Sequence, residues 1–240
     1  MNKLLLSILF IFFIGSTVKS QVLISLIFGD KLNSPTTEFG LNVGVNYSTL
    51  TRIDNAKYRT GFGIGMYFTW KFHDRWQLQP ELFFRFPTGA TKLPPYNFQD
   101  TILTQLTSTS TILRNSRSLS IPINIKYRVW KQFRISIAPQ VSYITYSDDI
   151  FKKTLENKDE VAYKTESKSD LNRFDLGVSA GISWKLKQGK GVNIELRFYS
   201  GFLDTDSKHL QGMNANRAIL LYVGIPTGAE KDVKTSEGAN

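Results

Sequence analysis

The sequence has no cysteine, which removes disulfide frameworks, thiolate metal sites, thiol nucleophiles and lipid attachment through an N-terminal cysteine. It has only two histidines, His73 and His209, too few for the common imidazole-rich zinc and iron centres. It also lacks a long apolar run. The longest, Leu4 to Ile14, is broken only by Ser7 and would rise about 16 Å as a helix, against a bilayer core of about 30 Å. No GxSxG, P-loop, HExxH or EF-hand string occurs, and the GxGxG of Gly61, Gly63 and Gly65 lies inside a strand-like pattern with no helix after it to hold phosphate. These absences point to a chain with no catalytic, cofactor-binding or metal-binding residues to assign.

What remains is basic, aromatic and strongly patterned. Lysine and arginine total 30 against 20 acids, and 13% of residues are aromatic. Met1 to Lys3 followed by Leu4 to Ile14 and the small polar Gly15 to Ser20 has the three-part form of a secretory signal peptide, with cleavage predicted before Gln21. Loss of Lys3 and Lys19 would leave a net charge of +8. On an exported chain that balance suits anionic surfaces such as lipid phosphates. The cations are not clustered in the way nucleic acid requires.

Period-two alternation dominates the rest, the signature of strands with two unlike faces. Phe62, Ile64, Met66, Phe68, Trp70 and Phe72 share one face of a first clear example. Comparable runs follow at Trp76–Phe86, Leu119–Val129, Phe133–Tyr146, Phe174–Lys185 and Val192–Phe198, with weaker ones at Phe39–Tyr47 and Ala218–Ile225. That makes eight strands and no convincing helix. Tight turns at His73–Arg75, Trp130–Gln132 and Lys187–Gly191 alternate with long polar connections at Thr51–Arg59, Pro87–Ser116, Ser147–Leu171 and Asp204–Asn214. Short turns on one side and long loops on the other are the layout of an all-β, eight-stranded antiparallel up-and-down transmembrane β-barrel. The predicted division is a signal peptide at 1–20, a periplasmic N-terminal segment at 21–37, the barrel at 38–226 and a polar tail at 227–240. Thr101–Thr111 reads as a mobile loop, and the charges of Ser147–Leu171 as a solvated mixed-charge loop.

Size decides which face meets lipid. An eight-stranded barrel has an interior just wide enough for side chains, so the many Phe, Trp, Leu and Ile side chains must face outward and the glycine-rich polar face inward. The inward charges expected to form an internal salt-bridge network are Glu81, Arg85, Lys126, Asp175, Glu195 and Arg197. Trp70, Trp76, Trp130 and Trp184, near the short turns, are the expected periplasmic membrane girdle. Ser207 and His209 are the sole serine–histidine pair in a long loop that could serve a rim lipid hydrolase.

Several strings together resemble the PorT-like outer-membrane β-barrel proteins of the Bacteroidetes type: GDKLNS at Gly29–Ser34, GFGIGMYF at Gly61–Phe68, WQLQPELFF at Trp76–Phe84, SLSIPINIKY at Ser118–Tyr127, FDLGVSAGISW at Phe174–Trp184, ELRFYSGFLD at Glu195–Asp204 and the final ILLYVG. The resemblance implies location in the outer membrane of a Gram-negative bacterium, no catalytic residues, and a link in some members to protein secretion. The sequence departs from that pattern in continuing past its last strand, which leaves Tyr222 as the aromatic available for an assembly signal, and in the unplaced apolar run Val22–Phe28. The reading that follows is a non-enzymatic barrel with a structural or interaction role through its long extracellular loops or periplasmic ends. Its expected partners are outer-membrane lipid and lipopolysaccharide, the outer-membrane assembly machinery, and a secretion complex or extracellular protein. The alternatives are a soluble lipocalin-like binding barrel or the rim hydrolase.

Overall fold

The computed structural model describes residues 33–98, 100–154, 160–186, 191–206, 208 and 213–227. The signal-peptide reading, Val22–Phe28, most of the Lys187–Gly191 turn, Ser207, His209 and the tail beyond Thr227 lie outside these residues.

Nine strands form: β1 (Thr37–Leu50), β2 (Arg59–Lys71), β3 (Trp76–Thr88), β4 (Thr111–Trp130), β5 (Phe133–Thr154), β6 (Glu160–Glu166), β7 (Phe174–Lys185), β8 (Asn193–Gly201) and β9 (Asn216–Pro226). Eight of them close a ring of antiparallel pairs, β1-β2-β3-β4-β5-β7-β8-β9, and β9 pairs back to β1 from Gly40↔Pro226 to Leu50↔Asn216. Closure removes the sheet edges that would otherwise present unpaired amides to lipid. The chain is clasped where the ring opens: Asn33 Nδ2 donates to the Thr227 carbonyl, and the Phe39 carbonyl accepts from Thr227 N at 2.9 Å.

Alternation sorts the faces as expected. Phe62, Ile64, Trp70, Ile121, Ile123, Ile125, Ile135, Ile137, Leu196, Phe198 and Leu221 are all exposed on the outside. Asn42, Asn46, Gln79, Ser120, Asn124 and Ser142, on the intervening positions, are buried inside. Such inversion is stable only where the outer solvent is hydrocarbon.

Two expectations are corrected. The Ser147–Leu171 connection is not simply a solvated loop, because β5 runs on to Thr154 and pairs with β6 from Asp148↔Glu166 to Thr154↔Glu160. Thr101–Thr111 is not a loop: Thr101–Thr107 form helix α1, capped by Asp100 Oδ1 accepting from the amides of Ile102 and Leu103, and β4 already begins at Thr111. The strands β4 and β5 are therefore 20 and 22 residues long, about twice the 9–11 that cross a tilted bilayer, and their upper halves project beyond it. Tyr222, the aromatic left for an assembly signal, is buried inside the barrel.

A β-bulge changes the phase of β3. Phe83 pairs with Ser120 and Phe86 with Ser118, so Phe84 and Arg85 together face the single Leu119. Phe83 and Phe86 both point inward, at 1% exposure, whereas Phe84 is 50% exposed and Arg85 opposes the outward Ile64. Unbroken alternation would have put Phe86 outside and Arg85 inside.

Glycine matters most where strands meet rings. A Cβ on Gly65 would lie 2.6 Å from the Leu82 carbonyl oxygen and 2.8 Å from Phe83 Cδ1, and Gly89, at φ +123°, turns β3 against the Arg114 carbonyl. Gly65→Val is expected to abolish the compact, SDS-resistant form seen before boiling in gel electrophoresis; unchanged heat-modifiable migration would show that this contact does not limit closure.

Candidate functional site

The inward face builds a filled lumen in layers. Nearest the short turns, Lys185 Nζ is paired with Glu38, whose other oxygen accepts from the Tyr67 hydroxyl at 3.0 Å. Above it lies a four-charge cluster. Arg197 donates from Nη1 and Nη2 to the two oxygens of Glu81, at 2.7 and 2.5 Å, and from Nε to Glu195 at 2.8 Å. Lys126 Nζ closes on the second Glu195 oxygen at 2.6 Å. Two cations meet two anions, so the cluster is neutral as a unit, and all four side chains are almost fully buried.

Neutral donors complete it. Ser136 Oγ donates to Glu195 at 3.2 Å, and Gln79 Nε2 to Glu81, while Gln79 Oε1 accepts from Thr69 at 2.8 Å. The geometry makes each carboxylate multiply bonded, which is the condition for burying charge. Between the two layers there is a cavity of about 10 Å³, lined by Glu38, Tyr67, Thr69, Lys126, Arg134 and Lys185, room for about one water.

An aromatic plug follows. Phe83 meets Phe86 edge-on at a ring separation of 5.9 Å and lies tilted against Tyr222 at 4.8 Å, and Phe86 meets Tyr199 edge-on at 5.7 Å. The two phenols are satisfied within the wall: Tyr222 donates to Asn46 Oδ1, and Tyr199 to Asp175 Oδ2 at 3.0 Å. The same Asp175 oxygen accepts from Asn216 at 2.9 Å.

Of the six lumen charges expected from the sequence, the structure thus brings Glu81, Lys126, Glu195 and Arg197 into contact across the interior. Asp175 is inside but bonded by neutral donors rather than by a cation. Arg85 is a correction: the bulge turns it to the outer face, away from Glu81 and Glu195. The four tryptophans Trp70, Trp76, Trp130 and Trp184 are between 42% and 64% exposed on the outer face near the short turns, with Trp76 against Tyr127 at 4.8 Å and Lys131 over Trp130 at 5.6 Å. His73 sits in the β2–β3 turn, where its Nδ1 accepts from the Arg75 amide at 3.3 Å.

The long-loop end holds a second cluster that sequence reasoning missed. Arg114 makes a bidentate pair with Asp149, at 2.8 and 2.7 Å, and reaches Asp206 at 2.7 Å, tying β4, β5 and the β8–β9 connection together. Tyr96 donates to Asp149 at 3.2 Å, and burial followed by that carboxylate's charge pushes its phenol above the ordinary tyrosine value. A small apolar cap of Leu50, Ala90, Leu93, Ile112 and Phe151 packs beside it. The available signal was the inward phase of Ile112, Arg114, Ser116, Ser118 and Ser120, which continues unbroken below Leu119. Among the described residues no group of three His, Cys, Asp or Glu is placed to hold a metal ion.

Arg197→Met, measured by reversible urea unfolding in lipid vesicles, is expected to cost about 3–5 kcal/mol because it strands the buried Glu81 and leaves the cluster one positive charge short. Lys208→Ala, which breaks the exposed pair with Asp170, should cost under about 1 kcal/mol. Equal costs would show that the lumen cluster is not a coupled unit.

Residues 33–207 match the family profile described as outer membrane protein beta-barrel domain. Solved structures of similar shape include Ail, the attachment invasion locus protein of Yersinia pestis, at 11% identity, 80% of this chain, 99% of that one and a TM-score of 0.43. Neisserial surface protein A aligns at 7% identity over 78% and 96% of the two chains with a TM-score of 0.40. OprG of Pseudomonas aeruginosa aligns at 13% identity over 82% and 96% with a TM-score of 0.32. No curated protein matches the sequence.

Proposed function

The chain belongs to the outer membrane protein beta-barrel domain family, and from that membership we propose that it is a sealed, non-enzymatic outer-membrane barrel whose work is done by contacts made at its long-loop end. The observation that carries this reading is the combination of a filled lumen with a built outer platform. The charge cluster and the aromatic plug occupy the interior, so the barrel offers no aqueous path of the kind that larger barrels enclose.

The platform is β4 and β5 prolonged past the apolar band, β6 added to their edge, and α1 lying in the β3–β4 connection. Helix α1 turns Ile102 and Leu106 outward at 69% and 62% exposure, one turn apart on one side. Ordered structure of this size is more than ring closure needs, since the β2–β3 and β4–β5 turns manage with a few residues. In this reading the long loops face the cell exterior. The short turns, the 21–37 segment and the 227–240 tail face the periplasm, and the four tryptophans anchor that interface. The resemblance to PorT-like proteins supports a secretion complex or an extracellular protein as the partner.

A soluble carrier barrel would need its apolar side chains inside, around a cavity, and the opposite arrangement is present. The rim-hydrolase reading rests on Ser207 and His209, and His209→Ala with full lipid-modifying activity would end it.

Two measurements test the main reading. Single-channel recordings from the purified protein in planar bilayers should show no steps above the lipid baseline, and regular conductance steps would overturn the sealed lumen. A variant with residues 94–110 replaced by a short Gly-Ser turn and residues 152–162 removed should still migrate as a heat-modifiable barrel yet fail to restore the phenotype of a deletion strain. If it restores the phenotype, the working surface is at the periplasmic end instead.

A further inference from the structure

On the outer face, just above the last lipid-facing side chains of β2, β3 and β4, three cations converge: Arg85, Arg117 and Lys164. Arg85 is turned outward by the bulge, opposite Ile64 on β2 and beside Leu119 on β4. Arg117, between the inward Ser116 and Ser118, lies opposite Pro87, diagonally next to Arg85, with its guanidinium 4.9 Å from the centre of the Tyr146 ring. Arg59, on the inward phase of β2 opposite the buried Ser48, donates to the Thr88 carbonyl at 3.3 Å and to Asn115 Oδ1, so its hydrogen bonds are met within the wall. Lys164 on β6 completes the group.

The carboxylates on this face do not balance it at Arg85 and Arg117. Asp148, buried diagonally beside Arg117, lies 2.8 Å from Lys164 Nζ, and Glu166 lies beyond it across the β5–β6 ladder, so two acids stand against three cations. Among the described residues, Arg85 has no hydrogen-bond or ion-pair partner, Arg117 has only its ring contact, and the Nε of each is shielded and unsatisfied. Buried polar atoms normally find a partner, and two neighbouring guanidiniums with shielded Nε atoms mark a place where acceptor oxygens fit. Directly below them the surface is apolar: Phe84, Ile64 and Leu119 are 50%, 38% and 36% exposed.

We infer that Arg85 and Arg117 form a binding site for the phosphate-bearing headgroup of an outer-leaflet lipid, with its acyl chains lying along Phe84, Ile64 and Leu119. The planar fork of arginine matches phosphate oxygens, and paired forks hold them better than a single ammonium would. The cationic patch by itself would suit free phosphate or lipid phosphate equally. The apolar wall continuous with it selects the lipid. This site is independent of any protein partner at the loop platform.

The test is native mass spectrometry of the folded barrel released from detergent micelles doped with lipid A carrying its phosphates, with the same lipid after dephosphorylation, or with inorganic phosphate alone. The phosphorylated lipid should be retained about tenfold more than the dephosphorylated one, a difference equivalent to about 1.4 kcal/mol. Retention should fall to the dephosphorylated level in R85Q/R117Q and stay unchanged in K131Q at the opposite end. Heat-modifiable migration checks folding. Should the double variant misfold, R85Q alone carries the test, because that guanidinium bonds nothing within the barrel. Equal retention of the two lipids by the parent protein, full retention by the folded variant, or displacement of the lipid by millimolar inorganic phosphate would each overturn the proposal.

Discussion

The guanidinium of Arg197 spans the interior between two carboxylates on strands that are not neighbours, and the closed, filled barrel depends on it. Hydrocarbon outside draws most apolar side chains outward, which leaves the part of the interior nearest the short turns with polar groups to pack against one another. Such an interior holds together only when its charges cancel and its lone pairs are used. Arg197 does both for Glu81 and Glu195, and Lys126 supplies the remaining positive charge. The Phe83, Phe86, Tyr199 and Tyr222 plug then seats above this neutral floor, with its phenols bonded to Asn46 and Asp175 rather than left in an apolar layer.

Much of this was legible in the sequence because lipid and lumen demand opposite chemistries on alternate residues. Charges such as Glu81, Lys126, Glu195 and Arg197, each isolated in an apolar–polar alternation, could be assigned to the inner face from phase alone. Their partners could not, since the contact between Glu81 and Arg197 crosses the ring and no local spacing encodes it. Arg85 was misplaced for a different reason. The bulge inserts one residue between Phe83 and Phe86, and because both sides of the insertion carry phenylalanine, the pattern shows no break.

Above the membrane the contrast fades, and so does the signal. Along the upper parts of β4 and β5 both faces are polar: Ser116 and Ser147 point in, while Arg117 and Asp148 point out. Binary patterning has nothing to distinguish there, and β6 with its tyrosine, lysine and glutamate looks like loop. Helix α1 is only seven residues long, too short for a period of 3.6 to register, and it stands on its Asp100 cap and the Thr104 hydroxyl, which donates to the Phe98 carbonyl at 3.1 Å. Arg114 escaped notice because its two partners come from connections far apart in the chain.

The ring is joined by pairings of very unequal span. β4 and β5 meet across the Trp130–Phe133 turn, so each new pair along that hairpin closes a loop only slightly longer than the last. β1 and β9 instead bring together residues from opposite ends of the described chain. Chain entropy lost on closure grows with the logarithm of loop length, so the hairpin is inexpensive to zip and the β1–β9 seam bears the largest single entropic penalty. The Asn33–Thr227 clasp sits on that seam. It is the place where contact order is highest, and there the β1–β9 ladder from Gly40↔Pro226 to Leu50↔Asn216, with the clasp at its end, turns an open curved sheet into a cylinder.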